Sequence, residues 1–203
     1  MMTAGNINFG EAVKRYPICF DEFSLQPDQF FRASRLHGIM HTYRVMIHVL
    51  NLGVLSGFES EARTAFFAAY IHDMARRHDG YCTRHGRDAV ENYLVEYHDL
   101  FKRNGASEAN LQQIAYAVSL HSLPDVPSIS STDDESQKVL FLLKDADALD
   151  RIRLGENDLD TSFLRLKVTH QCIPFASQLY SRTNHLASVS FSQIIDIASQ
   201  RDT

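Results

Sequence analysis

Apolar residues recur at spacings of three and four along most of the chain, the period of helices that bury one face. Over residues 38–55 the repeating positions are Ile39, Tyr43, Met46, Ile47, Leu50 and Val54, which predicts a helix with Gly57 as its stop. Glu59 and Glu61 place acidic charge in the first turn of the next helix, where the helix dipole favours it; its apolar run reaches Ile71. The polar stretch 74–84, containing Gly80, predicts a loop. A third helix is expected over about 85–102, ended by Asn104-Gly105. A fourth is opened by Ser107-Glu108 and ends near His121, ahead of Pro124 and Pro127. Residues 128–135 read as a polar connector into a buried helix begun by Val139, Leu140, Phe141, Leu142 and Leu143. Helical stretches are also expected over 27–35, with Asp28 near the start, over 165–180, bounded or interrupted at Pro174, and over 190–199. No strand pattern competes. The expected fold is an all-α single-domain bundle, with a helical core over 28–155, an N-terminal extension 1–27 packed on it and a C-terminal helical extension 156–203.

Composition narrows the function classes. A chain of 203 residues, 44% apolar and 22% charged, suits one soluble domain with a sizeable core. The net charge of −5 offers no general footprint for duplex nucleic acid. No apolar run approaches the roughly 20 residues a membrane span needs, and the first eight residues lack a signal-peptide pattern. Cys19, Cys82 and Cys172 are odd in number and form no CxxC motif, which favours reduced thiols and a cytoplasmic setting. Phe20, Phe23, Phe30 and Phe31 read as core. Oligomeric state is left open, a homo-oligomer included.

The candidate chemistry begins with His72-Asp73, an ionisable pair directly after the apolar run ending at Ile71. Burying both is costly without a partner, and a metal ion would be one. About 100° apart on a helix, the two reach a single ion only near a helix end. His41, His85, His121 and the acidic segment 144–150 offer compatible ligands. His37 lies one turn before His41 and can share its face. Such a nitrogen and oxygen set suits Mn, Fe, Co, Ni or Zn. Arg76 and Lys144 are the cations placed to meet a substrate oxyanion; Arg151 and Arg153 read equally as partners of Asp147 or Asp150. His48, seven residues after His41, reads as core or surface rather than ligand.

The order of these pieces resembles the HD-domain metal-dependent phosphohydrolase superfamily, whose pattern is a His, a His-Asp pair and a distant Asp on the helices of a bundle. His41, followed by Arg44-Val45, matches the first ligand, and His72-Asp73 the pair. Asp147, in its Ala-Asp step, matches the last ligand, with Asp145 in reserve. The resemblance covers roughly residues 30–155. It implies metal ligation by His41, His72, Asp73 and Asp147, and hydrolysis of a phosphomonoester or phosphodiester, in a nucleotide, by metal-activated water. Asp73 would serve as ligand and proton acceptor. His85 and His121 would either complete a two-metal site or face the substrate of a one-metal site, with Arg76, Lys144 and His37 binding that substrate. Met74-Ala75-Arg76-Arg77 stands where guanosine-tetraphosphate hydrolases of the superfamily carry Glu-Asp, and Gly80-Tyr81-Cys82 lacks the proline of its cyclic-dinucleotide phosphodiesterases. The competing classes are a non-catalytic HD-like module that binds a nucleotide or a protein, and a helical adaptor.

Overall fold

The computed structural model describes residues 9–125, 134–155 and 157–200. The first eight residues, Pro127 and all of the expected connector before Asp134 lie outside them. Among the described residues the chain forms helices α1 (Phe9–Val13), α2 (Ile39–Ser56), α3 (Glu59–Ile71), α4 (His85–Ala89), α5 (His98–Arg103), α6 (Glu108–Leu120), α7 (Asp134–Leu149), α8 (Ile173–Thr183) and α9 (Phe191–Ser199), and no strand. Glu135, expected in the connector, is already in α7.

The expected bounds of α2 hold at both ends. Gly38 precedes its first residue, and Gly57 closes it at φ 73° with its N–H directed to the Gly53 and Val54 carbonyls. Only Gly57 and Phe58 separate α2 from α3, so the two pack as an antiparallel pair. Their approach requires Gly53: a Cβ there would lie 2.2 Å from Ala62 Cβ and 2.5 Å from the Tyr16 hydroxyl oxygen. That hydroxyl donates to the Leu50 carbonyl at 2.8 Å. α7 packs against α2, α3 and α6, completing a four-helix centre. Ser107 caps α6 through the Asn110 N–H, and Ser190 caps α9 through the Gln193 N–H. Pro174 sits in the first turn of α8, where its missing N–H costs nothing; the 165–180 stretch is thus bounded there, with a 3-10 turn over Lys167–Cys172 before it.

One apolar cluster runs from Phe9 to Ala198. Phe66 of α3 meets Phe23 at 5.0 Å and Phe191 of α9 at 5.6 Å between ring centroids. α1 packs on α2 and α9, and α8 packs on α2. The residues flanking the centre therefore share its core, and the molecule is one all-α domain. No described helix is long and apolar enough to cross a membrane. The three cysteines are free.

Three local expectations are corrected. Residues 27–35 form a single 3-10 turn, Pro27–Gln29, in place of a helix. Phe30 is extended at φ −98°, ψ 142°, and the Phe31 N–H is drawn to the Met74 carbonyl at 2.8 Å. Phe31 is consequently 61% exposed instead of core, with the Arg77 guanidinium 5.1 Å from its ring; Phe23 and Phe30 are buried as expected. The 85–102 helix is divided: α4 passes into a π turn, Val90–Leu94, and α5 starts afresh after Tyr97. The changed register leaves Val95 exposed and sets Tyr97 against Tyr70, 5.1 Å between ring centroids.

Candidate metal centre

Several helix ends meet at one end of the bundle. His41 is in the first turn of α2, His72 caps the C-terminus of α3 and His121 that of α6, while His85 opens α4 and Asp147 sits late in α7. The antiparallel run of α2 and α3 is what brings His41 beside His72. Close contact of α4 with α6 brings His85 to His121: a Cβ on Gly86 would stand 2.3 Å from the Val118 carbonyl oxygen, so only glycine fits.

Backbone carbonyls fix the tautomer of three of these rings. His72 Nδ1 donates to the Ala69 carbonyl at 2.7 Å, His121 Nδ1 to Val118 at 2.7 Å and His85 Nδ1 to Cys82 at 2.9 Å. A carbonyl only accepts, so each Nδ1 carries its hydrogen and, in the neutral ring, each Nε2 presents a lone pair. Those lone pairs face inward. His85 Nε2 is 2.9 Å from His121 Nε2, and His72 Nε2 is 3.3 Å from His41 Nε2. The Asp73 carboxylate lies between the two sets. Its Oδ2 is 2.8 Å from His37 Nδ1, 3.4 Å from His41 Nε2 and 3.7 Å from His72 Nε2. Its Oδ1 is 3.0 Å from His85 Nε2 and 3.7 Å from His121 Nε2. Asp147 Oδ1 approaches His41 Nε2 at 3.4 Å.

The electrostatics favour ligation. Burial keeps His72 neutral, its pKa pushed down to about 3, and lowers that of His85 as well. Burial would raise the Asp73 carboxyl, but His72, His121, His37 and His41 hold it well below the usual carboxylate range. For Asp147 burial is likewise outweighed, chiefly by His41. His41 is the exception among the histidines: burial and Arg153 oppose its charge, yet Asp147, Asp150 and Asp73 raise it to about 9. A positive charge is thus favoured where its Nε2 faces the carboxylates.

These side chains could hold a metal ion, in the groups His41, His72 and Asp147; Asp73, His85 and His121; and His37, His41 and Asp73. The fit is chemical as well as spatial. Two lone pairs 2.9 Å apart repel unless a cation lies between them, and nitrogens sharing an ion at about 2.0–2.1 Å stand roughly 3.0–3.4 Å from each other. Imidazole with carboxylate is a donor set for a divalent transition metal.

Other expected residues divide. Arg76 is at the cluster, with Nη1 3.5 Å from Asp73 Oδ1 and 3.2 Å from His85 Nε2, and its buried Nε has no partner. Lys144, expected to touch substrate, is engaged elsewhere: it donates to the Leu123 carbonyl at 2.7 Å and to Asp125 at 2.5 Å. Asp145, the reserve ligand, is two residues from Asp147 and so points to another face of α7. It accepts from the Arg165 and Leu166 N–H groups and from the Thr169 hydroxyl. Arg153 pairs with Asp150 at 3.5 Å, and Arg151 lies 3.8 Å from Asp158.

The residue without an assigned role in the sequence is Asp150. It accepts from His41 Nδ1 at 2.7 Å and from Arg44 Nε at 2.5 Å, and these cations hold its pKa down to about 2 against burial. An ionised carboxylate on Nδ1 sends the other nitrogen of His41 toward Asp73 and Asp147. Its spacing of three from Asp147 was the available signal. The chain matches no known family model, no curated protein and no solved structure.

Proposed function

We propose that the chain is an HD-type phosphohydrolase that binds two divalent transition-metal ions and cleaves a phosphomonoester or phosphodiester, the ester of a nucleotide being the expected substrate class. The observation that carries this reading is Asp73: one carboxylate directs one oxygen to His41 and His72 and the other to His85 and His121. His41, His72 and Asp147 would hold one ion, His85 and His121 the other, with Asp73 common to both. Bound ions would supply Lewis acidity, lowering the pKa of water and polarising the phosphoryl group.

The chain's own residues would do the rest. Side-chain exposure is 34% for Asp147, 15% for His37 and 13% for Arg76, against 0–4% for His41, His72, Asp73, His85 and His121. Substrate would therefore enter beside Asp147, His37 and Arg76. The unpartnered Arg76 Nε and its neighbouring Nη1 would donate to phosphoryl oxygens, and the Asp73 carboxylate would accept a proton from water. Buried walls of histidine exclude bulk solvent and strengthen these interactions.

The test combines elemental analysis with hydrolysis of p-nitrophenyl phosphate, bis(p-nitrophenyl) phosphate and a nucleotide panel. Near two ions per chain are expected, falling in His85→Ala and His121→Ala, with hydrolysis lost in Asp73→Asn. Metal without hydrolysis of any ester would replace the enzyme with a binding module. Absence of metal after reconstitution with Mn, Fe, Co, Ni or Zn would end the metallohydrolase reading.

A further inference from the structure

A cavity of about 680 Å³ opens beside the N-terminal turn of α2, between the segment before that helix and the end of α8. None of the proposed metal ligands lines it. Its charged wall is of one sign: Arg35, Arg44 and Arg153 line it, and among the described residues no carboxylate does. That is unexpected in a chain of net charge −5. Arg44 and Arg153 are anchored from behind by Asp150, which neutralises one of the two. Arg35 has no carboxylate beside it in the cavity wall. Apart from Ser34 and Asn184 the remaining wall is largely apolar, with Phe30 and Met40, and with Tyr180 whose ring lies 5.3 Å from the Arg44 guanidinium carbon. The volume is that of a site for a drug-sized small molecule.

We propose that this cavity is a second ligand site, separate from the metal centre, for an organic anion with an apolar or aromatic body and one acidic head. The excess guanidinium charge selects the head, since a neutral ligand would leave it unmatched. Phe30, Met40 and Tyr180 cover the body. The buried, Asp150-anchored side chains of Arg44 and Arg153 are held in place before the ligand arrives, which lowers the ordering cost of binding.

The experiment uses the full chain and a matched pair of probes, 8-anilinonaphthalene-1-sulfonate and N-phenyl-1-naphthylamine, the same ring system with and without the anion. Fluorescence titration is run on metal-loaded and chelator-treated protein. One sulfonate probe per chain is expected in both preparations, so the result stands apart from the fate of the phosphohydrolase reading. The neutral probe should bind roughly tenfold more weakly, the worth of a hydrogen bond to a charged group. Arg35→Glu, at an exposed position, and Met40→Trp, which fills the cavity, should each weaken the sulfonate probe by a similar factor while circular dichroism and thermal unfolding stay as in wild type. Equal binding of the two probes would overturn the anion site. So would the absence of saturable one-to-one binding, or wild-type affinity in both folded variants.

Discussion

The most consequential side chain of the centre after Asp73 is one that need not touch an ion. Asp150 joins α7 to α2 through His41 and Arg44, residues more than a hundred positions earlier in the chain. Asp150→Asn keeps the shape and removes the charge that orients His41 Nδ1. Metal affinity should fall 10–100-fold, the usual cost of losing such a support, while circular dichroism shows the helices intact; a titration of apo-protein with Zn or Mn measures it. The resemblance pointed to Asp147 over Asp145, and Asp147 is the one that stands beside His41. The resemblance could not assign Asp150, whose partners are set by packing between distant helices. His48, read as core or surface rather than ligand, is found in the core. It is buried with no partner at either ring nitrogen, and burial pushes its pKa down to about 4 against the pull of Asp150, with Arg44 and His41 reinforcing the shift. The unfolded chain takes up this proton near pH 6.5 and the folded chain only near 4, so its contribution to stability is lost as pH falls between them. His48→Leu should be more stable than wild type by on the order of 1 kcal/mol at pH 7.5, with the gap widening toward pH 5. Urea unfolding at the two pH values reads this directly.

At the scale of elements, helix ends were legible where a single residue enforces them. Gly57 with its positive φ, Ser107 and Ser190 with their caps, and Pro174 in the first turn of α8 all act within one turn of the chain. The division of 85–102 was not legible, because a π turn keeps helical periodicity on either side and changes only the phase. Nor was the unwinding of 27–35, where a hydrogen bond from Phe31 to Met74 outweighs the helical signal of Pro27 and Asp28. The loop 74–84 was expected from its polarity, but its purpose emerges in the fold: it returns the chain from α3 so that His85 opens α4 against the end of α6. Gly86 sets how closely those helices approach. Gly86→Ala forces its methyl into the Val118 carbonyl, which also holds His121 Nδ1. α4 must then withdraw, separating His85 from His121. The variant should lose about half of its bound metal and roughly 1–3 kcal/mol of stability, typical for strain in a packed contact. Loss of stability with full metal content would show that His85 and His121 do not hold an ion.

For the whole molecule, metal uptake at the proposed centre would make folding and binding one equilibrium. The candidate ligands come from α2, α3, α4, α6 and α7 and converge only when the apolar core brings those helices together. The unfolded chain has no comparable site. The facing nitrogens of His85 and His121 at 2.9 Å, beside the ionised Asp73, store repulsion in the metal-free protein. A bound cation would relieve that repulsion in the folded state alone. Mass action then gives about 2.7 kcal/mol of added stability when free metal is at a hundred times its dissociation constant. In a chain of this size that corresponds to roughly 5–10 °C in Tm. Scanning calorimetry of chelator-treated protein, repeated with increasing Zn or Mn, should show Tm rising with the logarithm of metal concentration. His72→Ala should abolish the rise, because its ring is fully buried, stays neutral and faces His41. A Tm insensitive to metal in the wild-type chain would mean that the buried cluster satisfies itself by sharing protons, with His41 as their principal carrier.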